Sequence, residues 1–197
     1  MKQTNQCYYS LMSRAGYVLA GGASSRMGRD KALLPVRNGT LLQKIAGEVL
    51  AAAGSVTVIA PPERYGSLGL HVIPDSNPGQ GPLGGIHTAL SVTIADWNLV
   101  VACDMPGIGA AFLEQLFAEA ETSDADCLIP HNAEGRPEPL CAVYNRRCLP
   151  GIAAAIAAGV RKVTDGLRGL RAAEWHPDTL EHFKNLNTPQ DWSDHDA

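Results

Sequence analysis

Gly16-Tyr-Val-Leu-Ala-Gly-Gly-Ala-Ser-Ser-Arg-Met-Gly-Arg-Asp-Lys31 holds the reading on which the fold turns. A short apolar run, Tyr17 to Ala20, breaks into paired glycines, then small hydroxyl residues, then cations at Arg26, Arg29 and Lys31. This order predicts a strand that ends in a loop able to approach a polyanion closely. Glycine carries no Cβ to hold a ligand away and reaches positive φ without strain. Successive backbone N–H groups in such a turn make a concave anion site, and Arg26 and Lys31 add full charges. A Gly/Ser surface turn would explain the composition. It would not explain the strand in front or the close spacing of three cations.

Around this loop the chain is of ordinary soluble composition. At 197 residues, 45% hydrophobic and 18% charged, it fits one domain with a real core. A net charge of −4 gives no overall pull toward nucleic acid or an anionic membrane. The distribution is more telling: residues 1–44 carry seven Lys/Arg against the single acid Asp30, so the basic cluster surrounds the glycine loop. No apolar run approaches the roughly 18 residues of a membrane span. Residues 1–15 lack a sustained apolar stretch and read as a disordered leader, with Met12 as an alternative start, before a single domain over 16–197. The five cysteines form no C-x-x-C pair, so neither a zinc site nor a disulfide framework is expected, and reduced cytoplasmic thiols are. His71, His87, His131, His176 and His182 follow no ligand spacing and read as structural or surface residues.

Downstream, strands and helices alternate. Thr40 opens a helical run through Leu50 that Gly54 closes, and Ser55–Ala60 is a β-branched strand. Leu70–Ile73 reads as a short strand, 82–95 as a helix, and Asn98–Cys103 as a strand covered on both faces. A helix over 110–120, a strand over 126–129 and an Ala-rich helix over 152–158 follow. Residues 138–144 read as a further strand, antiparallel or at an edge because of Pro137 and Pro139. The pattern predicts an α/β fold, a Rossmann-like three-layer sandwich with a mostly parallel sheet. Ligands of such sheets bind outside the carboxyl ends of the strands, where two carboxylates stand. Asp104 ends the strongest strand and would serve equally as a turn cap or a cation ligand. Beside a polyphosphate loop the cation reading gains, because phosphoryl chemistry needs Mg²⁺ on hard carboxylate oxygens. Asp75, in Val-Ile-Pro-Asp-Ser, suits a turn-forming role at least as well as a functional one.

The loop is neither a Walker A motif nor a dinucleotide fingerprint, since Lys31 falls three positions after Gly28 and no G-x-G-x-x-G follows the strand. It resembles the L-A-G-G-x-S-x-R-M-G-x-D-K loop of the molybdenum cofactor guanylyltransferases, matched at Leu19 to Gly22, Ser24, Arg26 to Gly28, Asp30 and Lys31. Cys103-Asp-Met-Pro106 resembles that family's metal-binding aspartate motif, and Asp75 followed by Gly81-Pro-Leu-Gly-Gly85 resembles its nucleotide-side segment. Later segments, Arg136–Tyr144, Gly159–Val163 and Phe183–Pro189, are similar in the same order, so the likeness covers nearly the whole chain. One departure is Ile59-Ala-Pro-Pro, where some members place an asparagine near the nucleotide.

The resemblance implies a fold of the nucleotide-diphospho-sugar transferase type and transfer of GMP from GTP to molybdenum-molybdopterin, with pyrophosphate released. It gives nucleotide binding to Leu19, Ala20, Gly21, Gly22, Ser24, Arg26, Lys31, Asp75, Gly81, Gly84 and Asp104, with Arg26, Lys31 and Asp104 catalytic and Asp104 holding Mg²⁺. Acceptor binding falls to Arg136, Arg161, Lys162, Asn185 and Asn187. GTP and molybdenum-molybdopterin are the implied substrates in the cytoplasm, with transient contacts to molybdenum insertion proteins or molybdoenzyme chaperones, and neither nucleic acid nor membrane as partner. Rival readings are a molybdopterin cytidylyltransferase, a sugar-phosphate nucleotidyltransferase, and a nucleotide-binding regulatory module without catalysis. Gly21-Gly22 favours guanine, where a cytidylyl member has L-A-A-G. Retention of Lys31 with Asp104 argues against binding alone.

Overall fold

The computed structural model describes residues 14–21, 30–177 and 183. The first strand, β1 (Arg14–Leu19), is an interior strand of a seven-stranded sheet. Its neighbours are β4 (Val56–Ile59) and β6 (Trp97–Ala102), both parallel to it, and β5 (Val72–Ile73) continues beyond β4. On the other side, β8 (Cys141–Asn145) runs antiparallel between β6 and β7 (Cys127–Pro130), and β9 (Ala172–Trp175) closes that edge parallel to β7. The full order is β5-β4-β1-β6-β8-β7-β9. A small hairpin, β2 (Pro35–Val36) with β3 (Gly39–Thr40), stands apart.

Two helical layers cover the sheet, as the alternating pattern predicts. Helix α1 (Leu41–Ala53) starts with a capping box, Thr40 accepting from the Gln43 N–H while Gln43 reaches back to the Thr40 N–H. Its Leu42, Ile45 and Val49 are fully buried and share one core with Val18, Leu99 and with Leu113 and Leu116 of α4 (Ala110–Thr122). The opposite core joins Tyr17, Val100 and Ala142 to α3 (Gly81–Val92), α5 (Leu149–Ala157) and α6 (Val163–Gly166). A one-turn helix, α2 (Pro62–Tyr65), follows β4. Among the described residues no helix is long and apolar enough to cross a membrane.

The structure departs from the sequence reading in three places. Strand β1 begins at Arg14, so Arg14 and Ala15 belong to the sheet, paired with Trp97 and Asn98, rather than to a leader. Arg14 also forks onto both carboxylate oxygens of Glu121 at 2.6 Å and lies over the Phe117 ring. The strand after the prolines is antiparallel, as the sequence reading allowed, but interior rather than at an edge: it runs Cys141–Asn145, after Pro137 and Pro139, so neither removes a ladder N–H. Strand β9 is absent from the sequence reading. Its Ala-Ala-Glu-Trp sequence alternates exposed and half-buried residues and pairs only with β7, so the sheet rather than local propensity makes it.

Candidate active site

Because β1, β4, β5, β6, β7 and β9 are parallel, their carboxyl ends share one edge of the sheet, and β8 begins there. That edge brings together Gly21 after β1, Pro61 after β4, Asp75 after β5, Asp104 after β6 and the 131–140 segment between β7 and β8. The ends are stitched by backbone hydrogen bonds: Ala20 N–H to Ile59 O at 3.1 Å, and Cys103 N–H to Leu19 O at 3.1 Å. Gly22, Ser24 and Arg26 of the predicted loop, with Asn185 and Asn187, lie outside the described residues.

Gly21 leaves β1 at φ +88°, and a Cβ there would stand 2.8 Å from Pro61 Cδ. Pro61 of the Ile59-Ala-Pro-Pro departure thus closes against Gly21. At the loop's other end Asp30 caps the 3₁₀ turn Lys31–Leu33, its Oδ1 accepting from the Ala32 N–H at 3.2 Å. Its Oδ2 accepts from the Tyr65 hydroxyl at 2.7 Å and pairs with Arg64 Nη2. Tyr65 is fully buried, and burial first, then the bond to Asp30, pushes its phenol far above the ordinary range. The hydroxyl therefore stays protonated and donating. Tyr65 and Arg64 went unnoticed in the sequence, where an Arg-Tyr pair one turn after two prolines carries no motif.

Asp104 occupies the turn directly after β6, half-buried. It enters no side-chain hydrogen bond or ion pair with another described residue. Its charge is nonetheless felt nearby. The Cys103 thiol is pushed up to about 12 by burial, then by the charges of Asp104 and Asp30, against the opposing pull of Lys31. Asp30, Asp104 and Lys31 thus all lie close enough to Cys103 for their charges to act on its thiol. Glu138 shares this field: burial first raises its pKa, Asp104 adds to the rise, and a 2.7 Å bond from Asn132 Nδ2 opposes it. Sequence reasoning missed Glu138; its one signal is an acid set between two prolines ahead of an apolar strand.

Asp75 is held as the turn-former the sequence also allowed. Its Oδ1 accepts from the Asn77 N–H at 2.9 Å and from the Thr88 hydroxyl at 2.6 Å, which ties the loop after β5 to helix α3. Oδ2 bonds no described residue. Gly84 makes this approach close, since a Cβ there would meet Asn77 O at 2.8 Å. Gly81 opens the same helix, exposed at the edge.

The predicted acceptor residues are less gathered. Arg136 sits exposed between β7 and β8, its Nη2 3.1 Å from Glu134. Arg161 and Lys162 are exposed before α6, a single turn whose Gly166 abuts Leu83 of α3. No described contact joins Arg136 to either.

The sequence matches the profile of the MobA-like NTP transferase domain over residues 16–174. A relative from Nostoc sp., named a "probable molybdenum cofactor guanylyltransferase", is 38% identical over 180 residues, covering 88% of this chain and 86% of its own. One of the same name from Pelotomaculum thermopropionicum is 34% identical over 189 residues, covering 92% and 91%. The crystal structure of molybdopterin-guanine dinucleotide biosynthesis protein A from Archaeoglobus fulgidus superposes with a TM-score of 0.79 at 27% identity, over 92% of this chain and 96% of that one. With a parallel sheet whose carboxyl edge carries the glycine turn, Lys31 and Asp104, and with this match across most of its length, the chain belongs to the MobA-like NTP transferase family.

Proposed function

We propose that this chain transfers the GMP moiety of GTP to the terminal phosphate of molybdenum-molybdopterin, releasing pyrophosphate. The observation that carries the reading is the convergence of the Gly21 turn, Lys31 and Asp104 at one sheet edge, with Cys103 lying in the field of both charges. The names of the relatives support it, and Gly21-Gly22 supports guanine over cytosine.

An oxygen of the acceptor phosphate attacks the α-phosphorus of GTP as the bond from that phosphorus to the bridging oxygen breaks and pyrophosphate leaves. The acceptor is already anionic, so no general base is needed; positioning and charge neutralisation do the work. Leu19 to Gly22 and Ser24 bring backbone and hydroxyl donors to the triphosphate, and Arg26 and Lys31 hold its charge. Each charge-assisted contact is worth about 1.5–3 kcal/mol. Asp75, Gly81 and Gly84 flank the nucleoside. Asp104 fits a hard dication: its carboxylate bonds no described residue and a second acid, Glu138, lies within its field. Asp104 would hold magnesium there, and the ion would supply charge stabilisation for the transfer. Arg136, Arg161, Lys162, Asn185 and Asn187 serve the acceptor. The setting we propose is the cytoplasm, in keeping with free thiols at Cys103, Cys127, Cys141 and Cys148, with transient hand-over to molybdenum insertion proteins or molybdoenzyme chaperones.

The test is pyrophosphate release from GTP and from CTP, each with and without molybdenum-molybdopterin. Release is expected only from GTP with acceptor. Release from CTP instead makes the chain a cytidylyltransferase, and release with a sugar phosphate as sole effective acceptor reassigns the second substrate. GTP binding without any release leaves a binding module.

A further inference from the structure

At the outer end of the same edge, three side chains with metal-binding atoms meet. His131 follows β7, and its backbone N–H donates to Trp175 O of β9 at 2.8 Å. The register pairs Ile129 with Glu174 and Pro130 with Trp175, which sets His131 beside His176. Side chains two apart in extended backbone share a face, so Glu174 of β9 and His176 just after it stand together, and His131 joins them from just beyond β7. The histidines follow no ligand spacing in the sequence; strand pairing brings them together.

One ligand atom from each of His131, Glu174 and His176 lies within 4.8 Å of the other two. His131 Nε2 is 3.9 Å from Glu174 Oε2, and the two imidazole rings stack with centroids 4.7 Å apart. His131 is only 7% exposed, yet its Nδ1 is enclosed without a hydrogen-bond partner among the described residues and its Nε2 is beyond bonding distance of Glu174. Nε2 is the nitrogen that faces Glu174, and no hydrogen bond to a described residue occupies it.

We propose that His131, Glu174 and His176 bind a transition-metal dication of the zinc class, at a site separate from Asp104. Two imidazole nitrogens and one carboxylate oxygen are the donors such ions take, whereas magnesium prefers oxygen alone. Three protein ligands leave a fourth position for water or an anion. Tetrahedral bonds of about 2.0–2.2 Å require the ligand atoms to close by roughly 1 Å. Glu174 and His176, both exposed, have room to do so around the fixed His131.

The experiment is titration of the full-length protein with Co²⁺, read by its visible d–d absorption, and with Zn²⁺ by calorimetry, both in excess Mg²⁺ to occupy the nucleotide side. One equivalent is expected to bind in the wild type and in Asp104→Ala. Affinity should fall at least about tenfold in Glu174→Gln and in His176→Ala, the order of loss that follows removal of a ligand or its support. Both positions are exposed, so the fold survives the change; unaltered circular dichroism checks this. Absence of stoichiometric binding, equal binding in both variants, or loss in Asp104→Ala alone would each overturn the site.

Discussion

On the β1–β4 side of the sheet edge, Asp30 is held by the Ala32 N–H, the buried Tyr65 hydroxyl and Arg64, and Asp75 is held by Asn77 and Thr88. Between β7 and β8, Arg136 pairs, among the described residues, with Glu134 alone on an exposed surface, and elsewhere Arg161 and Lys162 stand exposed just before α6. The first half is fixed before any ligand arrives. The second keeps its side-chain freedom, which under the proposed function would be spent on binding the acceptor. An in-line displacement tolerates little error at the phosphorus, which would suit rigidity on the proposed triphosphate side.

The largest effect should follow loss of the charge at the junction of the halves. Asp104→Ala is expected to lower turnover at least about 10²-fold, if the metal it holds supplies several kcal/mol. Circular dichroism and Tm should stay near wild type, and turnover within a few-fold of wild type would remove Asp104 from the mechanism. Breaking the rigid half is gentler. Tyr65→Phe keeps the buried ring but removes the donor to Asp30, and kcat/KM for GTP should fall about 5–10-fold, the value of roughly 1–1.4 kcal/mol. The KM for acceptor should not move; if it shifts as much as that for GTP, the frame serves both halves and the contrast fails.

On the loose half, Arg161→Ala should raise the acceptor KM about 2–5-fold, as expected for one exposed cation, with GTP affinity near wild type. Intact acceptor binding with weakened GTP binding would reverse the division of the site. The smallest effect concerns stability. At the opposite edge of the sheet, Asp126 accepts from the Arg171 N–H at 3.0 Å and pairs with Arg147 and Arg171, tying β9 to the sheet. The Arg171 bonds above all, and Arg147, hold its carboxyl well below the usual range. A depressed folded-state value contributes stability that is complete above the unfolded pKa of about 3.9 and fades as pH falls below it. Asp126→Asn should therefore lower the Tm by a few degrees at pH 7, with the deficit shrinking as pH falls from about 4 toward 2. A deficit independent of pH would assign the effect to packing instead.

The regular parts of the fold were legible because each is specified by its own residues. Asn98–Cys103 reads as a buried strand from its apolar run, and the helix after Thr40 from periodicity, its cap and Gly54. Strand β9 was not legible, because Ala-Ala-Glu-Trp has little preference of its own and is made by pairing with β7. The interior place of β8 was hidden for a similar reason: prolines nearby argue for an edge, and only the register shows them standing before the strand.

For the site the division is the same. The glycine turn, Lys31, Asp75 and Asp104 announce themselves as a short motif or as an acid at the end of an apolar run, features that local chemistry imposes on neighbouring residues. The clamp of Tyr65 and Arg64 on Asp30, the field shared by Glu138 and Asp104, and the meeting of His131 with Glu174 and His176 are contacts between elements far apart in the chain. By itself the sequence determined an α/β fold of the nucleotidyltransferase family, with a glycine turn and aspartates at its strand ends, because periodicity and turn chemistry act over a few residues. Only the tertiary structure decided which side chains hold Asp30 and what gathers at the outer edge, because strand order and register set distances that sequence separation does not.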